Sequence, residues 1–198
     1  MKAIKTICTL FILGFGSISH AEMTFITEKD ENNNVTSLLG ANNVEVEGSF
    51  YNVRFLSGSC TGLFNGCDDA DDFLFNTTAT SSAAAEALLD KVFIDGVNGN
   101  FDSTPTLTNG CNDSLECRVY QPFRMDGVFF WYGTVATNGN FSRGNSISER
   151  NYLRDGDVSG LTTYAVWSVP AEVAGPNAGM LFLISIAGLL VSKRRKEV

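Results

Sequence analysis

Histidine is almost missing from this chain. The only one, His20, falls in a segment that reads as a removable leader, so the working protein is expected to have none. Ser-His-Asp and Cys-His catalysis lack their base in such a chain, and histidine metal sites lack their ligand. There is no Gly-rich phosphate loop followed by a Lys, no dinucleotide fingerprint and no internal repeat. Basic residues are scarce in the middle: between Glu22 and Pro170 there are 20 acidic and 8 basic residues, a net charge of −12. A domain that acidic stays in solution and repels nucleic acid and anionic lipid. No cofactor is implied, and no nucleic acid partner.

Two uncharged runs stand out, one near each end. The first, Thr6 to Ile18, follows Lys2 and Lys5 and is too short to span a bilayer. Ser19 and Ala21 then put small residues at the −3 and −1 positions of a cleavage site. That is the pattern of a secretory signal peptide, residues 1–21, cut after Ala21. Cys8 lies inside the apolar run and outside any lipobox-like context.

The second run, Ala178 to Ser192, has 15 uncharged residues, and about 20 are needed to cross about 30 Å of hydrocarbon. Counting from Val173, or letting long basic side chains reach the headgroups, makes up the shortfall. Lys193, Arg194, Arg195 and Lys196 follow as a basic stop that favours the cytoplasmic side. The expected topology is domain outside, C-terminus inside. Ahead of the run stands a Pro-punctuated stretch with Val169, Pro170, Glu172 and Pro176.

Motif, apolar helix and basic end together resemble the PEP-CTERM sorting tails, here over residues 169–198. The resemblance implies recognition and cutting by a membrane protease-transpeptidase, an exosortase. It also implies a Gram-negative host that makes exopolysaccharide, and an inner-membrane intermediate that ends at the cell surface or in the extracellular matrix. Ala171 stands where that motif carries Glu, and Glu172 where it carries the second Pro. The same residues therefore also fit a permanently anchored single-span membrane protein. Neither a Leu-Pro-x-Thr-Gly motif nor a Gly-Gly pair precedes the run.

Residues 22–168 remain for one extracytoplasmic domain, long enough for a real core. Its four cysteines, Cys60, Cys67, Cys111 and Cys117, are an even count in an exported chain and read as two disulfides. Three pairings are open; the short turn-rich loops CTGLFNGC and CNDSLEC favour Cys60–Cys67 and Cys111–Cys117. A four-Cys zinc site wants Cys-x2–4-Cys pairs, which these are not.

Asn43 to Glu47 and Phe50 to Leu56 alternate around Gly48-Ser49, predicting a hairpin with Val44, Val46, Tyr51, Val53 and Phe55 on its apolar face. Phe73-Leu74-Phe75 reads as a short strand. Ser81-Ser82 reads as the cap of one helix, Ala83 to Ile94, which buries Leu88, Leu89, Val92 and Phe93 and ends at Asp95-Gly96. Asn98 to Asp113 reads as loop, Val128 to Val135 and Thr162 to Val169 as strands, and Asn138 to Asp157 as a mobile loop. The fold expected is α+β: a small, mainly antiparallel sheet with one helix packed on it. The order GSFYNVRFLSGSC, CDDADDF, Ala-rich helix, Cys-pair loop and closing YAVWS also resembles a set of PEP-CTERM passenger domains of no known activity.

Chemistry is thinly signalled. Asp68, Asp69, Asp71 and Asp72 are candidate calcium ligands, as are Asp95, Asn98, Asn100 and Asp102, though neither set has EF-hand spacing. Acidic turns facing water are the plainer reading. Two carboxylates also suffice for a small hydrolase. Arg143, Arg150 and Arg154 offer contacts to anionic polysaccharide or, more simply, to local acids. The expectation is a non-enzymatic surface or matrix protein with exopolysaccharide or the cell envelope as partner. Its rivals are a permanently anchored protein with a ligand- or calcium-binding domain, and a carboxylate-dependent hydrolase.

Overall fold

The structure, a computed structural model, describes residues 22–156 and 162–171. Its strands are β1 (Thr24–Lys29), β2 (Val35–Val46), β3 (Ser49–Leu56), β4 (Asp95–Gly96), β5 (Gly99–Asn100), β6 (Glu116–Asp126), β7 (Phe130–Gly139), β8 (Ser146–Leu153) and β9 (Thr162–Ser168). Helices are α1 (Cys60–Leu63) and α2 (Thr78–Ala87), the latter continued by a π-helical turn over Leu88–Val92. Seven strands form one sheet in the order β1-β2-β3-β9-β6-β7-β8, antiparallel throughout except for the parallel pair β6 and β9. β4 and β5 form a separate two-residue ladder. This is the α+β class that the sequence pattern implies, a mainly antiparallel sheet carrying one substantial helix.

Both faces of the sheet are covered, by different means. On one, Ala84, Ala85, Leu88, Val92 and Phe93 of the helical segment pack on Leu38, Val44, Val53, Phe55, Val119 and Ala136. Phe93 stacks on Phe55 with ring centroids 5.4 Å apart. Each Leu, Val or Phe side chain among these contributes about 1.5–3 kcal/mol when taken from water. On the other face no long helix lies among the described residues. The Cys60–Cys67 loop lays Phe64, and the segment after it lays Phe73, over Tyr120, Trp131, Val135 and Tyr164. A disulfide thus holds in place a cover too short to fold by its own burial.

The β2–β3 hairpin forms, but its turn is Glu47-Gly48, with φ of 48° and 81°, because Val46 pairs with Ser49. Two residues with positive φ suit the right-handed strand twist, and Gly48 supplies the second at no steric cost. Val44, Val46, Val53 and Phe55 are buried and Tyr51 half-buried, as the alternation requires.

Several boundaries need correction. The helix begins five residues before the expected start. Thr77, not Ser81-Ser82, is its N-cap, and its hydroxyl accepts from the Thr80 N–H. Ser81 is instead buried within α2, its hydroxyl donating to the Gln121 carbonyl at 3.2 Å. Segment 73–75 forms no strand: Phe73 enters one core and Phe75 the other, while Leu74 is exposed. Residues 138–156 are not one loop. β7 runs on to Gly139, and β8 is an edge strand paired with it over eight positions. β1 and the first half of β2 extend the sheet beyond the expected hairpin. β6 went unread because Pro122 interrupts it. A proline has no N–H to give a ladder, and a bulge between Pro122 and Arg124 accommodates it.

Topology sorts the loops to two ends. β6 and β9 are parallel, so the turn after β6 and the chain beyond Ser168 leave at the same end. β1 starts there as well, since Thr24 pairs with Asn42 near the end of β2. That end, called the exit end below, carries the segments preceding β1 and following β9, the 47–48 turn and the 127–129 turn.

Candidate functional site

The parallel ladder between β6 and β9 stops at Tyr120 and Tyr164, two residues before Pro122. Beyond it the strands part, and a cleft of about 270 Å³ opens in the fork. Ala165, Val166 and Trp167 line one side, Gln121 and Pro122 the other, and segment 73–75 passes between them as it changes faces. Its walls are aromatic. Trp167 meets Phe75 edge-on at 5.4 Å, and Phe64 meets Phe73 at 5.5 Å.

Polar groups sit at the back and at the rim. Gln121 is buried, at 3% exposure. Its Oε1 accepts from the Trp167 indole N–H at 2.9 Å, which sets the amide's orientation. Its Nε2 has no hydrogen-bond partner among the described residues. A buried donor left unpaired costs about 1–3 kcal/mol, and a ligand oxygen would recover that. At the rim, Asp72 Oδ2 accepts from the backbone N–H groups of Asp68 and Asp69, and Oδ1 from the Asn65 side chain at 3.1 Å. These bonds, that from Asp68 foremost, hold the Asp72 carboxyl below its ordinary pKa. Asp72 is the only acid lining the cleft among the described residues, and it stays ionised. It is therefore an acceptor at neutral pH and a poor general acid.

Three of the expected acidic ligands, Asp69, Asp72 and Asp95, accept from backbone N–H groups. Asp69 caps the 3₁₀ turn Ala70–Asp72, completing a capping box with Asp72. Asp95 Oδ1 accepts from the N–H groups of Asp102 and Ser103, which lowers its pKa, and Asp102 Oδ1 accepts from Asn145. No three His, Cys, Asp or Glu are grouped to hold a metal ion among the described residues. Asp68 and Asp71 are exposed.

Cysteines pair as the short loops suggest, Cys60 with Cys67 and Cys111 with Cys117, each pair with Cα atoms 5.6 Å apart. All four are buried. Arg143 lies in the β7–β8 turn, Arg150 on β8, and Arg154 just after it. Lys91–Glu45 and Arg118–Glu116 are ion pairs among the described residues; none of those three arginines makes one there, though the Arg154 charge adds to the lowering of the Asp72 pKa. Of the sorting stretch, Val169 is exposed and Pro170 half-buried at the exit end. Ser19, Ala21, Glu172, Pro176, Lys193, Arg194, Arg195 and Lys196 lie outside the described residues. So does the run 178–192; among the described residues no helix is long and apolar enough to cross a membrane.

Sequence reasoning missed Gln121, Pro122 and Trp167 as neighbours. The available signal was Pro122 itself, a ladder-breaking residue in an otherwise strand-like stretch. A scan of protein-family models and searches of curated proteins and of solved structures found no match.

Proposed function

We propose that this chain is an exported, envelope-directed protein that is sorted or anchored through its C-terminal tail. Its acidic domain is a binding module rather than an enzyme. The observation that carries the reading is the pair of buried disulfides, Cys60–Cys67 and Cys111–Cys117. They account for every cysteine outside the leader and fit an oxidising compartment. The signal-peptide pattern of residues 1–21 and the tripartite tail agree with it from opposite ends.

The cleft in the fork is the surface through which the domain meets its partner, taken here to be exopolysaccharide or a related envelope polymer. Aromatic walls suit the apolar C–H faces of a sugar ring. The free Gln121 amide and the ionised Asp72 suit its hydroxyls. A volume of about 270 Å³ admits a single ring rather than a long stretch of chain. Among the described residues Asp72 is the one carboxylate lining the cleft, and glycoside hydrolysis needs two, which supports binding without turnover.

Titration of the full chain with exopolysaccharide from the native host, followed by Trp167 emission, tests this. A saturable change is expected, weakened about five-fold in Gln121→Met, the worth of one hydrogen bond. A flat titration removes the polymer as partner. Mass measurement of the recovered C-terminus separates the two fates of the tail. Loss of the stretch Lys193 to Val198 means processing; its retention means permanent anchoring.

A further inference from the structure

The 127–129 turn holds two adjacent apolar side chains out in water, beside two more at the strand ends it joins. Val128 and Phe129 are 72% and 70% exposed, and Phe130 and its cross-strand partner Leu153 are 41% and 53% exposed. The turn is not loose: the Arg154 N–H donates to the Phe129 carbonyl at 2.8 Å, tying the tip to the end of β8. A contiguous apolar patch on an ordered turn marks a contact surface.

Its position identifies the contact. The patch sits at the exit end, where the chain leaves β9 and where the domain begins at Glu22. From Ala171 to the apolar run at Ala178 is seven residues, a reach of about 25 Å when fully extended. The opposite end of the sheet is a ten-residue strand farther away, about 30 Å. A chain held in a bilayer by that run presents the exit end to the lipid and keeps the other end in water. The domain's net charge of −12 argues against attraction to anionic headgroups, which leaves apolar insertion as the mode of contact.

We propose that the tip formed by Val128, Phe129, Phe130 and Leu153 inserts into the interfacial layer of the bilayer that holds the tail, so that the domain lies docked on the membrane. The proposal rests on the tail being membrane-held, as in the function proposed above.

The test uses the full-length chain in phosphatidylcholine vesicles whose acyl chains are brominated to quench nearby indoles. Trp131 is fully buried and Trp167 half-buried, so the parent sets the background. Phe129→Trp places an indole at the tip. Phe141→Trp places one in the β7–β8 turn, at the opposite end and fully exposed. Brominated lipid is expected to remove most of the emission that Phe129→Trp adds, and to leave that of Phe141→Trp intact. Vesicle-bound protein with an unquenched Phe129→Trp overturns the docking and leaves the tether standing. Equal quenching at both ends also overturns it. Protein that stays out of the vesicles altogether overturns the tether and the docking together. Val128→Trp serves as a second tip probe should Phe129→Trp perturb folding.

Discussion

Asp72 shows how little of the acidic cluster is free for a ligand. One oxygen of its carboxylate takes two backbone N–H groups, and the other takes the Asn65 amide. Those bonds favour the ionised form, so its pKa in the folded chain lies below the ordinary carboxylate value of about 4. The stabilisation they give is present above that ordinary value and is lost as pH falls through the lower folded value. Asp30 and Asp95 are depressed in the same way, by the Asn34 side chain and by the Ser103 N–H respectively. Melting temperature should therefore drop between pH 5 and pH 2. In Asp72→Asn the drop should be shallower, because that variant has no charge there to lose. Thermal scans across this pH range would show it, and an unchanged acid limb would mean that the capping box adds nothing to stability. Nothing in the four adjacent aspartates of the sequence distinguishes this staple from a cation site. The difference lies in which N–H groups the turn brings within reach, and that is fixed by the disulfide beside it.

The helix and β6 carry the same lesson one level up. The apolar spacing of Leu88, Val92 and Phe93 was enough to find the helix and its buried face, because a 3.6-residue period survives in any context. Its start was not, since Thr77, Ser81 and Ser82 are all competent caps by residue type. Packing decides: Ser81 is buried against the Gln121 carbonyl, and only Thr77 is left outside the first turn. Thr77→Ala should cost about 1 kcal/mol in denaturant unfolding. Ser82→Ala, half-buried and without a capping bond, should stay within about 0.5 kcal/mol. The reverse ranking would put the cap where the sequence alone suggests it. β8 escaped for a different reason. SISERNYL is exposed at six of its eight positions and carries Glu149 and Arg150 among polar neighbours, as suits an edge strand that must not pair with another chain. Such a strand has no apolar alternation to detect. β6 shows the cost of one residue: its ladder with β9 stops two residues before Pro122, and the cleft opens there, signalled in the sequence by nothing but that proline.

Across the whole molecule, the cysteines were the most legible feature. Each pair closes a short loop, so two disulfides and a favoured pairing among three were legible before any fold was known. What could not be read was its use, since one loop covers a face of the sheet that among the described residues has only the one-turn helix α1. Each bond contributes about 2–3 kcal/mol by restricting the unfolded chain. Reduction should accordingly lower the unfolding free energy by several kcal/mol, with Cys60–Cys67 the more damaging loss because Phe64 and Phe73 depend on it. Paired Cys→Ala substitutions and urea titrations measure this directly; equal effects at the two sites would remove the special role of the Cys60–Cys67 cover. The parallel β6–β9 pair sets the remaining whole-chain property, placing the approach to β1, the departure from β9 and the apolar tip at one end.

Export is the central claim of the proposed function, and the two buried disulfides are what favours it. The most direct measurement is the N-terminus and thiol state of the protein recovered from its native cells. The account predicts a chain beginning at Glu22, found with the envelope or outside it, whose four remaining cysteines resist alkylation until a reductant is added. A chain beginning at Met1, dissolved in the cytosol with those thiols free, would contradict it.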